Sequence, residues 1–186
     1  MLRSLRAVAS LRQTGGRKLA GVVFDEATID RRVRALGREI TETYPDGELL
    51  VLGLLKGSFI FLSDLVRRID RPLQVDFFAA ASYGAETVSS TIVRLVYDPE
   101  PVLRGKHILL VEDIIDTGRT LNRMVQLLRE REPKSVRICA LLHKHVAEHL
   151  ELEPSFVGFD APPKFLVGYG LDHAENFRNL PYIASL

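Results

Sequence analysis

The sequence predicts an α/β fold, a mainly parallel central sheet flanked by helices, with a small C-terminal hood. Three observations carry that expectation. Continuous apolar runs of strand length stand at 49–55 and 108–111, and a mainly apolar one at 135–142, the pattern of strands buried on both faces. The first two are each followed by a short polar turn and then by helix-like apolar spacing, the βα unit of a parallel sheet with right-handed crossovers. No internal repeat or low-complexity tract divides the 186 residues, so a single domain is expected over 19–186.

In chain order, Asp25 can cap a helix whose apolar face is Ile29, Val33, Leu36 and Ile40, ending near the proline-glycine turn at 44–47. The run 49–55 is the first buried strand and leads through Lys56, Gly57 and Ser58 into a helix over 59–69. Segments 74–82 and 91–97 read as two further strands. The stretch 82–90 between them is small and polar, poor material for packing. Strand 108–111 passes through a turn into a helix marked by Leu121, Val125 and Leu128. Strand 135–142 is followed by a short helix or loop around 145–150, and loops and short strands beyond Pro154 make the hood.

Composition narrows the classes of function. With 46% hydrophobic and 26% charged residues, the chain reads as a soluble globular protein, and a cytoplasmic location is expected. A net charge of +1 argues against nucleic acid as the main partner, since duplex binding needs a concentrated basic excess. No apolar stretch approaches the roughly 20 residues of a membrane span, so no membrane partner is expected. The single cysteine, Cys139, lies in an apolar run and excludes an intrachain disulfide; it reads as a buried small hydrophobe. Residues 1–18 carry Arg3, Arg6, Arg12, Arg17 and Lys18 with no acid, which suits a flexible basic tail or a transit-like segment.

The run HILLVEDIIDTGRTL at 107–121 holds the densest chemistry. Glu112 and Asp113 stand at a strand's carboxyl end, where open α/β sheets bind ligands. Asp116, Thr117, Gly118, Arg119 and Thr120 then form a turn opening onto a helix, whose free N–H groups suit a phosphate. Two acids beside a phosphate cradle would repel an anion, so acids and donors must meet different parts of one ligand. A sugar phosphate meets both demands, its hydroxyls donating to the acids and its phosphate accepting from the turn. Asp116 could equally be a helix cap.

The run VEDIIDTGRT at 111–120 resembles the phosphoribosyl pyrophosphate (PRPP) signature of type I phosphoribosyltransferases, in the wording of their hypoxanthine-guanine branch. A second run, KFLVGYGLDHAENFRNLPY at 164–182, is similar to the same branch, and the resemblance extends from about Val22 to Leu186. A response-regulator receiver also contains a Leu-Val-Glu-Asp run, but near its beginning. The resemblance implies the type I phosphoribosyltransferase fold and transfer of a 5-phosphoribosyl group from PRPP to hypoxanthine or guanine, giving IMP or GMP and pyrophosphate. It also implies a Mg2+ cofactor held by Glu112, Asp113 and Asp172, and a homodimer or homotetramer.

Site residues carried over by the resemblance are as follows. Glu112 and Asp113 take the ribose hydroxyls, Thr117, Gly118, Arg119 and Thr120 the 5-phosphate, and Asp116 acts as proton acceptor at purine N7. Lys56 and Gly57 form the pyrophosphate loop, with a cis peptide before the lysine, and Arg178 meets the same pyrophosphate. Ser82 and Tyr83 begin a loop that closes over PRPP, although Thr91 departs from the glycine frequent at its far end. Lys144 donates to the purine 6-oxygen, or, on a blander reading, pairs with Glu148 on a helix surface. Phe165 stacks on the base and Leu166 offers it backbone groups. His173 departs from a frequent tyrosine and receives no role. His143, His145 and His149 read as surface histidines rather than a metal cluster. The rival from another class is a PRPP-sensing regulator that keeps the fold without turnover, which retention of both acids and Asp116 disfavours.

Overall fold

The structure, a computed structural model, describes residues 14, 16–83, 92–97, 102–147 and 149–186. Among these residues nine strands and three helices follow one another: β1 (Gly21–Phe24), α1 (Glu26–Thr43), β2 (Leu49–Leu55), α2 (Phe59–Val66), β3 (Gln74–Tyr83), β4 (Ile92–Tyr97), β5 (His107–Ile115), α3 (Arg119–Arg129), β6 (Ser135–His143), β7 (Phe156–Asp160), β8 (Leu166–Val167) and β9 (Ile183–Ser185). The central sheet has the order β4-β3-β2-β5-β6-β7, and β4 alone among its strands runs antiparallel to its neighbour.

Strand parity explains why the apolar runs are continuous. In β2, β5 and β6 the residues Leu49, Val51, Leu109, Val111, Cys139 and Leu141 join the core under α1 and α2. The alternate residues Leu50, Leu52, Ile108, Leu110, Ile138 and Ala140 join the core under α3. Both faces are therefore buried, as expected for parallel strands. The expected cap of α1 is present, the Asp25 carboxylate accepting from the Thr28 amide at 2.8 Å. Its buried stripe is Ile29, Val33, Leu36 and Ile40, each side chain contributing about 1.5–3 kcal/mol by leaving water. Cys139 is fully buried, which pushes its thiol far above the ordinary range and leaves it inert.

Several boundaries differ from the sequence reading. Helix α2 stops at Val66, although Ile69 is still buried. Among the described residues of 145–150 no helix forms. Strand β7, expected within the hood, instead pairs in parallel with β6 and extends the central sheet. The hood is not built from the C-terminus alone, because its sheet has the order β1-β9-β8 and draws β1 from near the start of the chain. The 84–91 segment, Thr91 and Glu148 lie outside the described residues, as do residues 1–13. No helix among the described residues is long and apolar enough to cross a membrane.

Candidate active site

Strand geometry sends Glu112 and Asp113 in different directions. Successive side chains alternate across a sheet, so Glu112 shares the face of Ile108 and Leu110, towards α3, and Asp113 shares that of Leu109 and Val111. Accordingly Glu112 lines a small cleft of about 100 Å³ together with Asp116, Thr117, Gly118, Arg119 and Thr120. Asp113 meets the loop after β2 so closely that a Cβ on Gly57 would lie 1.6 Å from its Oδ2.

That contact continues into the hood. Gly170, at φ +103°, passes so near Gly57 that a Cβ would stand 2.1 Å from the Gly57 carbonyl oxygen. Asp113, Gly57 and Gly170 therefore stack three separate chain segments at the sheet's carboxyl edge. The expected cis peptide is present between Leu55 and Lys56. Ser58 then turns the chain into α2, its hydroxyl donating to the Leu54 carbonyl at 2.6 Å.

Charge is distributed unevenly around this edge. Burial pushes the Glu112 carboxyl well above the usual range, and the neighbouring Asp113 charge adds to the shift. Its buried Oε2 has no hydrogen-bond partner among the described residues. Burial also raises Asp113, opposed by the Ile114 amide at 2.9 Å and by the charge of Arg178. Arg178 itself is tied to Asp172 at 2.7 Å, to Glu175 at 3.4 Å and to the Gly170 carbonyl at 2.8 Å. Lys56 pairs with Glu175 at 3.1 Å.

The structure decides the role of Asp116 as a cap. Gly118 is the N-cap of α3, at φ +74°, and no side chain caps that helix. The first-turn amides thus remain available to an anion. Asp116 instead accepts from Lys144 Nζ at 2.8 Å, across the ends of β5 and β6. Lys144 is held there by its own amide, which donates to the Ile115 carbonyl at 3.0 Å. The alternative pairing with Glu148 falls outside the described residues. Phe165 is 54% exposed, while Leu166 is buried in β8. Ser82 and Tyr83 end β3, placed at the rim by their backbones.

Among the described residues no group of three His, Cys, Asp or Glu side chains converges to hold a metal ion. Glu112, Asp113 and Asp172 therefore form no protein-only cage, because Asp172 is drawn to Arg178 and to the Glu175 amide, at 2.9 Å. Of the three histidines read as surface residues, His143 is buried at the end of β6, its ring 3.9 Å from that of His145, which pairs with Asp160 at 2.6 Å; His149 lies 3.9 Å from Glu151.

The phosphoribosyl transferase domain family matches residues 23–174, which includes the cleft, the glycine stack and the Lys144–Asp116 pair. The chain belongs to that family. Its similarity lies in the hypoxanthine-guanine branch: a hypoxanthine-guanine phosphoribosyltransferase of Dictyostelium discoideum is 46% identical over 169 residues, 89% of this chain and 94% of the relative. A hypoxanthine phosphoribosyltransferase of Salmonella typhimurium is 44% identical over 167 residues, with the same coverage of both chains. The solved hypoxanthine-guanine phosphoribosyltransferase of Bacillus anthracis superposes with a TM-score of 0.86 at 37% identity, covering 91% of this chain and 99% of the other. The phosphoribosyltransferase described here is accordingly a glycosyltransferase of purine salvage, with the type I fold. What motif reading missed is the pair of close approaches at Gly57 and Gly170, for which a glycine beside each signature was the available signal.

Proposed function

We propose that this enzyme transfers the 5-phosphoribosyl group of PRPP to N9 of hypoxanthine or guanine, releasing pyrophosphate and forming IMP or GMP. The observation that carries this reading is the Lys144–Asp116 pair at 2.8 Å. It sets a donor-only ammonium and a carboxylate side by side at the sheet edge, matching a purine's 6-oxygen and its adjacent N7–H. Asp116 takes the N7 proton as N9 attacks C1′ and the bond from C1′ to pyrophosphate breaks. Phe165 stacks on the base, and the Leu166 backbone meets its edge.

The 5-phosphate sits on the Thr117–Thr120 turn, held by the first-turn amides of α3. Glu112 and Asp113 accept from the ribose hydroxyls and stabilise positive charge as it develops on the ring. The orphaned Glu112 oxygen supports this, since a buried acceptor lacking a donor favours a ligand that brings one. Lys56, the Gly57 loop and Arg178 receive the pyrophosphate, and Ser82 and Tyr83 close the rim against water. The all-oxygen donor set also fits Mg2+, which commonly uses one or two protein carboxylates and completes its shell with substrate phosphates. Asp172, Glu112 and Asp113 are the residues that would hold it, where it supplies charge neutralisation of the leaving group. Assembly as a dimer or tetramer, in the cytoplasm, goes with the same reading.

The test is pyrophosphate release from PRPP and Mg2+ with each purine base. Hypoxanthine or guanine should be turned over with kcat/KM on the order of 10⁴-fold above adenine, whose 6-amino group leaves Lys144 facing another donor. Equal use of adenine would remove Lys144 from base selection.

A further inference from the structure

His173 has no part in the chemistry above, yet it sits between the exposed stacking ring and a cation from the start of the chain. Residues 17–24 are stitched to the hood. The Ala20 amide donates to the Ser185 carbonyl at 2.8 Å, β1 pairs with β9, and Leu19 packs against the cluster of Val167, Phe177, Leu180, Tyr182 and Ala184. This attachment delivers the Arg17 guanidinium over the buried Phe177 ring, 5.7 Å from its centroid. From there Arg17 Nη1 reaches His173 Nδ1 at 3.1 Å.

The chemistry of that bond fixes the ring. Arginine offers donors only, so His173 Nδ1 must present its lone pair, and a neutral ring then carries its hydrogen on Nε2. The His173 backbone is fixed as well, by amide-carbonyl bonds in both directions with Asn176, at 3.2 and 3.1 Å. The ring held in this way meets Phe165 edge to face, with centroids 5.3 Å apart and planes at 88°. Phe165 is otherwise 54% exposed, although its carbonyl is anchored by the Leu186 amide at 3.1 Å. An exposed ring with an anchored backbone and one fixed aromatic neighbour is preorganised, which lowers the entropy lost when a base stacks on it.

We propose that Arg17, acting through His173, is a positioning residue of the acceptor-base site: it sets the Phe165 ring for purine stacking. The segment that supplies it precedes residue 23, where the family match begins. The inference rests on the reading of Phe165 as the stacking face.

Steady-state kinetics on the full chain tests it, with hypoxanthine and PRPP varied in turn. Arg17→Ala and His173→Ala should each raise KM for hypoxanthine about three- to ten-fold, the scale of one hydrogen bond or one ring contact, and more than either changes kcat. KM for PRPP should stay within about twofold. The Arg17→Ala/His173→Ala double variant should be no worse than His173→Ala alone, because both act through one ring. Arg17→Lys, which keeps a donor, should recover much of the loss. An Arg17→Ala enzyme with wild-type KM for hypoxanthine would overturn the proposal. So would losses that multiply in the double variant, or a rise in both KM values together with a lower Tm. Phe165→Leu separates the two levels of inference. If it raises KM for hypoxanthine and Arg17→Ala does not, the positioning role fails alone; if Phe165→Leu has no effect, the stacking reading fails and the proposal with it.

Discussion

Glu112 and Asp113 are set deep at the end of β5 with no cation at ion-pair distance among the described residues, whereas Asp116 and Asp172, on the turn and the hood, each hold one and Glu175 holds two. The difference separates two tasks. Lys56, Arg178 and Lys144 are the cations proposed to meet pyrophosphate and base, and their acidic partners hold them near the positions where those ligands will compete for them. The β5 acids have the opposite problem. Their charge is costly in low dielectric until hydroxyl donors arrive, which suits the ribose and the developing positive charge that they are proposed to meet.

The contrast can be broken most severely at Gly57. A side chain there would collide with Asp113 Oδ2, 1.6 Å from an ideal Cβ, and would push the loop after β2 off the β5 acids. Gly57→Ala should therefore lower kcat/KM by about 10²-fold or more, the scale of a displacement near 1 Å. A loss below about threefold, measured with PRPP and hypoxanthine, would show that the two segments need not touch.

Removing the charge of Glu112 sharpens the other side. Its folded pKa is raised above the ordinary carboxyl value, so between those two points the folded state binds more protons than the unfolded one. Stability without substrates should then fall as pH rises through that window, and be greatest below it. Glu112→Gln should reduce this slope, leaving the part that the raised Asp113 contributes, and raise Tm at neutral pH by about 2–4 °C for each kcal/mol regained in a protein of this size. The same variant should bind PRPP more weakly. Thermal melts from pH 4 to 8 decide it: identical slopes for both proteins would mean that Glu112 is not the strained acid.

The smallest effect is expected on the hood. Glu175→Gln releases Lys56 and one contact of Arg178, both near solvent. PRPP should bind a few-fold more tightly at low salt, with the gain shrinking as ionic strength rises. Weaker binding would mean that Glu175 positions these cations rather than competing for them.

Much of this was legible in the sequence, for identifiable reasons. Strands β2, β5 and β6 announce themselves because burial on both faces demands long, mainly apolar runs, and α1 because Asp25 and a four-residue stripe mark its start and face. Strand β1 did not, since four residues pair with β9 some 160 positions away and no local pattern encodes that partner. Strand β7 is short and interrupted by Gly158, whose place against Leu141 is set by tertiary packing. At the site, the signature supplied the residue types and the fold supplied their partners. Asp116 could be a helix cap until α3 was found to begin at Gly118 with Asp116 turned to Lys144. The Arg17–His173 contact spans 156 positions and had no sequence signal at all.

The central claim is that Asp116 accepts the purine proton beside Lys144. Turnover and PRPP affinity of Asp116→Asn test it most directly. The account predicts a kcat lower by about 10²–10⁴-fold, with a dissociation constant for PRPP within about threefold of wild type. A kcat within a factor of about three of wild type would contradict it.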